Sequence, residues 1–202
     1  MTRMTGMKDA LRARRPSSPI TPGKVAAQPQ QGPAHSMAGM RWAAYGACAL
    51  AFGHAGVSAY WALGGTGGLD TVGGFAERWA RSPSTATLII VWATVVLKVL
   101  GGFLALALVR PFGARVPRPL VLLAGTAAAA LLILYGGVMV LAAILVETGA
   151  VHPAAPIDWR GLRWHLGLWD LWFLIWGVLL GIAVWSFHRA GRCAPNPLGN
   201  DG

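Results

Sequence analysis

The sequence predicts an all-α polytopic membrane protein, a four-transmembrane-helix bundle behind a disordered N-terminal tail. Three observations carry that expectation. Four apolar stretches, about Arg41–Leu63, Thr87–Val109, Pro119–Val146 and Gly167–Phe187, each exceed the ~20 residues a helix needs to span ~30 Å of hydrocarbon. The chain is 55% hydrophobic and only 12% charged, so a water-soluble fold of 202 residues would have to hide almost everything. The charges gather in the tails and between the apolar stretches, and only Lys98 lies deep within one.

The first 40 residues mix Arg12, Arg14 and Arg15 with five prolines and a short Gln run. They offer too little aliphatic surface to fold, so residues 1–40 are expected to form a basic, Pro-rich, disordered tail. The tail is expected to be retained, because its basic residues stand too far from the first apolar run for a signal peptide. Residues 41–189 form the transmembrane domain, with spans at about 41–63, 87–109, 119–146 and 167–187. The Gly64–Gly68 run reads as a flexible turn leaving the first span. Residues 190–202 read as a flexible second tail.

Lys and Arg near the span ends set the orientation. Arg41 and the tail before it, Arg110, Arg115, Arg118, Arg189 and Arg192 fall on one side. Arg78, Arg81, Arg160 and Arg163 fall on the other. Both termini are therefore expected in the cytoplasm, with the protein in the cytoplasmic membrane and the bilayer as its first partner. The net charge of +10 flanks membrane spans and has no soluble domain to present it, which argues against nucleic acid.

Function is less legible. Cys48 and Cys193 fall on the cytoplasmic side and form no CxxC, which argues against a structural disulfide or paired-thiol chemistry. Glu147, His152, Asp158 and His165 share one external segment, but their spacing matches no ligand pattern, so no metal is expected. Haem needs two histidines at matching depth, and His54 and His165 differ in depth. No cofactor is expected. There is no GxSxG, HExxH or phosphate-cradling loop, so the chain reads as not an enzyme.

Helical spacing sorts the remaining polar residues onto faces. Ala47, Ala51, His54, Ser58 and Trp61 form one stripe of the first span, and Thr94, Lys98 and Gly102 one stripe of the second. In the fourth span Asp170 aligns with Gly177 and Gly181, and these two glycines form a GxxxG suited to close helix packing, with Leu179 between them facing lipid. His54, Lys98 and Tyr135 fall near the bilayer midplane, and Asp170 lies about 10 Å nearer the outer surface. Charges at such depth are costly and expected to face the bundle interior, with Asp170 as the counter-ion of a charged Lys98, or with Tyr135 or His54 bonding a neutral one. Trp61, His165 and Trp169 are the candidates at the outer face.

A resemblance emerges at these positions. His54 ahead of Tyr60-Trp61-Ala62-Leu63-Gly64-Gly65, with Trp164-His165-Leu166 leading into Trp169-Asp170 and Trp172-Phe173, resembles the domain-of-unknown-function 3995 family over about Arg41–Arg189. The resemblance implies a small bacterial four-span membrane protein without an assigned activity. The leading expectation is a structural or partner-binding membrane component, in company with a membrane-protein partner or a second copy. The alternative is a small-solute or proton path through the bundle using His54, Lys98 and Asp170. A membrane-embedded enzyme with its site around His165 and Asp170 ranks third.

Overall fold

Proline, glycine and a few capping side chains cut the chain into helices. The structure is a computed structural model that describes residues 34–81 and 84–192, leaving aside the side chains of residues 34–40, 75, 76 and 192. Six α-helices follow in order: α1 (Ala34–Ala62), α2 (Gly74–Arg81), α3 (Thr85–Ala107), α4 (Arg118–Glu147), α5 (Trp159–Trp164) and α6 (Asp170–Arg192). Single 3-10 turns occupy Leu69–Thr71 and Pro111–Arg115, and a π-helical turn, His165–Trp169, joins α5 to α6. No strand occurs among the described residues, so the all-α class stands.

The helix starts have clear chemical causes. Ser84 caps α3 by accepting the Thr87 N–H at 3.2 Å, and Asp158 caps α5 by accepting the Gly161 N–H at 3.0 Å. Pro119 stands in the first turn of α4, where its missing N–H costs nothing. Two boundaries differ from expectation: α1 begins at Ala34, ahead of Arg41, and α6 runs on to Arg192. The expected tails otherwise lie outside the described residues.

Three helical runs are long and apolar enough to cross a membrane: Thr85–Ala107, Arg118–Glu147 and Trp159–Gly191, the last a continuous 33 residues. This is the composition of a membrane protein. At 29 residues α1 is also long, but its alanines, glycines and His54 make it less apolar than those three.

Side-chain size decides which helices touch. α1 packs against both α3 and α6, and α4 packs against α6, while α3 and α4 scarcely meet. Ala43, Ala44, Ala47 and Ala51 of α1 are fully buried and join Ala105 of α3 and Ala183 of α6 in one core cluster. Small residues let helix backbones approach where no hydrophobic force separates protein from lipid. The large aliphatic side chains point away instead, with Leu97, Leu123, Leu131 and Leu134 all about two-thirds exposed.

The closest approach is between α4 and α6. A Cβ on Gly136 would stand 2.6 Å from the Leu174 backbone nitrogen, and one on Gly177 would stand 2.8 Å from that of Ile133. Gly181 is looser, with the Ala129 Cβ 3.9 Å from where its own would be. Leu179 does not face lipid as expected: its Cδ1 stands 3.0 Å from where a Cβ on Gly46 of α1 would be. The reason is that α6 is wedged between two helices, so its α1-facing side needs bulk as much as its α4-facing side needs glycine.

The two ends of the helices differ in character. At one end lies a single short connection, residues 108–117, and the Arg118 guanidinium donates to the carbonyls of Phe187 and His188, closing the last turns of α6. At the other end lie the two longer connections, residues 63–84 and 148–158. The glycine run there is not the loose turn expected. The Tyr60 hydroxyl accepts the Gly67 N–H at 3.1 Å, and Trp61 Nε1 donates to the Gly67 carbonyl at 2.9 Å. The ion pair Asp70–Arg160 ties the first of these connections to α5, and Glu147–Arg163 ties the end of α4 to it.

Candidate functional site

A change of helical pitch builds the centre of the site. In an α-helix residues five apart stand about 140° apart around the axis, so their side chains diverge. Between His165 and Asp170 the chain winds as a π turn, with the Asp170 N–H bonded to the His165 carbonyl. The wider turn brings both side chains to one face, where His165 Nδ1 lies 3.3 Å from the Asp170 carboxyl oxygens. The other ring nitrogen, Nε2, donates to the Val72 carbonyl at 2.9 Å, a group that can only accept.

The connection after α1 is laid onto this turn. Trp169 Nε1 donates to Thr71 Oγ1 at 3.2 Å, one residue from the carbonyl that holds His165. Gly73 adopts φ +63°, and a Cβ there would press to 2.7 Å from an Asp158 carboxyl oxygen, so glycine alone lets this strap lie so close to the cap of α5. Asp170 itself is only 4% exposed.

Beneath the strap lies a cavity of about 660 Å³. Trp61, Tyr135, Trp169 and Phe173 supply aromatic walls, and His54, Asp158, His165 and Asp170 supply polar groups. That combination, mostly apolar with a few convergent polar side chains, is the usual make-up of a small-molecule site. His54 of α1 is buried in its wall. The ring is 6% exposed, packs against Phe173 at a centroid distance of 4.6 Å and against Trp172 at 5.6 Å, and both its nitrogens are buried without a hydrogen-bond partner.

A second, smaller cavity of about 310 Å³ lies on the other side of His54 and Trp61, lined also by Ser58, Thr87, Thr94 and Lys98. Here Lys98 Nζ donates to Ser58 Oγ at 2.6 Å, joining α3 to α1. His54 thus borders two compartments, one holding Lys98 and Ser58 and the other His165 and Asp170.

The expected Lys98–Asp170 ion pair does not form. Lys98 finds the Ser58 hydroxyl on the neighbouring helix, and Asp170 is taken by His165, both within easier reach than each other. Neither Tyr135 nor His54 bonds Lys98. Tyr135 is half-exposed, stacks edge-on against Phe173 at 5.2 Å, and borders the larger cavity. Of the outer-face candidates, Trp61 and Trp169 pack against each other with tilted rings at a centroid distance of 5.3 Å, and His165 joins them around the same cavity. Gly177 and Gly181 lie on the α4 side of α6 and away from the cavity. The sequence reading missed Thr71, Val72 and Gly73, whose only signal was the glycine, and it placed Ser58 on the right stripe without assigning it a partner. Among the described residues no group of three or more His, Cys, Asp or Glu side chains is placed to hold a metal ion.

Residues 51–180 match a family model described as a protein of unknown function, DUF3995. No curated protein and no solved structure matches the chain.

Proposed function

Since the chain belongs to the DUF3995 family, whose function is unknown, its role rests on its own geometry, and we propose that it is a non-catalytic binding component of the cytoplasmic membrane. In this reading the chain crosses four times, as a bundle with both termini inside. α1 supplies the fourth crossing because its buried alanine face lies along α3 and α6, which carry it into the bilayer with them. Arg110, Arg115, Arg118 and Arg189 at the short-connection end support a cytoplasmic location for that end.

The observation that carries the proposal is His54. A buried polar group left unpaired costs about 1–3 kcal/mol, so a native fold that keeps one calls for an explanation. A ligand entering from the outer face supplies it: a small molecule with a hydrogen-bonding group for His54 and an apolar body for the aromatic walls. Towards the short-connection end the centre is closed by residues such as Ala43, Ala47, Ala105, Leu180 and Ala183. A pocket closed on one side favours binding over translocation.

Reconstitution tests this directly. Proteoliposomes carrying an internal pH dye should acidify no faster than empty vesicles. A single cysteine at Met139, on the cavity wall, in a chain with Cys48→Ala and Cys193→Ala, should react with a membrane-impermeant maleimide added outside. His54→Phe should retain that labelling and raise the unfolding midpoint. Proton flux that disappears in His54→Phe or Lys98→Met would overturn the proposal in favour of a conduit.

A further inference from the structure

The charges of this fold are sorted by end. The described carboxylates, Asp70, Glu77, Glu147, Asp158 and Asp170, all lie at the end of the two longer connections, where the first three are paired with arginines. At the opposite end stand Arg110, Arg115, Arg118 and Arg189, with no described carboxylate to offset them. Three of these arginines, Arg110, Arg115 and Arg118, line one cavity of about 670 Å³, enclosed by the 108–117 connection and Phe187 of α6.

The cavity is a built structure and not a loose loop. The Gly113 N–H donates to the Arg110 carbonyl at 3.1 Å, and a Cβ on Gly113 would collide with the Ala107 carbonyl, so glycine lets the connection fold back onto the end of α3. Arg118 is fixed across the end of α6 by the Phe187 and His188 carbonyls, and a Cβ on Gly191 would collide with its guanidinium. Arg110 stands 5.5 Å over the Tyr45 ring and Arg118 5.1 Å over the Phe187 ring. Such packing holds a guanidinium in place while its N–H edge stays open to an acceptor. Among the described residues, the side chains of Arg110 and Arg115 have no hydrogen-bond or ion-pair partner.

Level and charge decide what fits. α3 ends at Ala107 and α4 starts at Arg118, so the cavity lies where the apolar runs give way to lipid headgroups. Basic pockets between membrane helices at this level suit phosphate, which a guanidinium can take with two parallel N–H groups. A headgroup that carries its own amine would bring a positive charge to arginines. A second copy inserted the same way round would present its own arginines here. The acyl chains have a place as well. The gap between α3 and α4 is an apolar cavity of about 690 Å³, lined by Leu100, Leu104, Ala124 and Ala128 among others, between two helices that scarcely touch. Leu104 in that gap is one helical turn from Leu108 in the arginine cavity, and Ala124 is about 9 Å of helical rise from Arg118. We propose that this end of the molecule binds an anionic phospholipid, its phosphate held among Arg110, Arg115 and Arg118 and an acyl chain lying in the α3–α4 gap.

The test uses the full chain in phosphatidylcholine nanodiscs containing a trace of phosphatidylglycerol with a diazirine on its acyl chain, the attachment sites mapped by mass spectrometry. Labelling should concentrate on the α3 and α4 residues of the gap. Unlabelled phosphatidylglycerol should compete it away, and the same amount of added phosphatidylcholine or of glycerol phosphate should not. Arg110→Gln combined with Arg115→Gln should weaken labelling at least tenfold with an unchanged elution profile. Arg78→Gln, which removes the same charge from an exposed position at the other end, should leave labelling as it was. The competition arms use the unaltered chain and decide the matter even where a variant fails to fold. Four outcomes overturn the proposal: labelling spread evenly over the lipid-facing helices, equal competition by phosphatidylcholine, equal competition by glycerol phosphate, which would mark a site for a soluble phosphate, or undiminished labelling of the double glutamine variant, which would leave the arginines with a role in orientation alone. None of these bears on the His54 pocket, which lies towards the other end and has its own test.

Discussion

His165 and Asp170 face each other across 3.3 Å because the five residues between α5 and α6 wind as a π turn instead of an α turn. Without that turn the membrane-crossing helix would continue unbroken and the pair would point to different sides. The turn therefore serves the site at the expense of helical regularity, as π turns at functional sites commonly do.

The pair should show measurable coupling. Asp170→Asn and His165→Gln should each destabilise the protein by about 1–3 kcal/mol. Their double-mutant cycle should give an interaction energy of roughly 0.5–3 kcal/mol in denaturant titrations in mixed micelles. Deleting Gly167, whose Cβ position faces open space, should restore an α turn and cost about as much as Asp170→Asn while leaving the helical circular dichroism unchanged. Strict additivity in the cycle would show that the two side chains do not interact.

Lys98 is the more counter-intuitive case. Because Asp170 is paired elsewhere, Lys98→Met should strand nothing. It also removes a polar group whose burial at mid-depth costs at least ~2.5 kcal/mol. The expected outcome is an unchanged or higher unfolding midpoint, with no further gain on adding Asp170→Asn. Ser58→Ala should do the opposite, losing about 1–3 kcal/mol, because it deprives the part-buried Lys98 Nζ of its acceptor. A Lys98→Met chain that collapses and is rescued by Asp170→Asn would restore the Lys98–Asp170 ion pair.

Glycine tolerance along the α4–α6 seam should follow backbone proximity. Gly136→Ala and Gly177→Ala place a methyl within 2.6–2.8 Å of backbone nitrogen and should sharply reduce the monodisperse fraction on size exclusion. Gly181→Ala would meet the Ala129 Cβ at 3.9 Å, an ordinary contact distance, and should be tolerated, while Gly181→Leu should not. Equal behaviour at all three positions would mean that the seam opens in the folded protein.

Topology gives the fourth expected outcome. Reporters fused before Arg12 and after Asp201 should both signal cytoplasm, and one inserted at Gly64-Gly65 should signal the far side, which requires α1 to cross. A cytoplasmic signal from the Gly64-Gly65 insertion would leave α1 lying on the membrane surface and reduce the crossings to three.

Apolar length and the spacing of small residues made the helices legible, since both are set within single stretches of chain. The buried alanines of α1 and the Gly177 seam follow from the same local pattern. The candidate site was legible residue by residue but not pair by pair. His54, Lys98, His165 and Asp170 stood out because polar groups are rare in apolar runs. Which of them meet depended on a π turn, whose hydrogen bonds leave no periodic mark, and on a strap whose position is fixed by Gly73 resting on Asp158, a contact between residues 85 positions apart. Leu179 was misplaced for a related reason: one face of a helix can be read from spacing, but a helix wedged between two others has two inner faces.

The sparse contact between α3 and α4 bears on how the chain is made. A ribosome delivers the helices in order, so α1 and α3 can pair while synthesis continues, and α4 follows with little to hold it to α3. The helix that holds both halves is α6, the last to emerge, since it packs against α1 and α4 alike. Until it arrives, the nascent chain carries a half-built polar compartment and an open glycine seam on α4, surfaces that membrane chaperones and proteases recognise. Final assembly is therefore C-terminally gated, and a chain cut short in the 148–158 connection would be a substrate for degradation and not a smaller working protein.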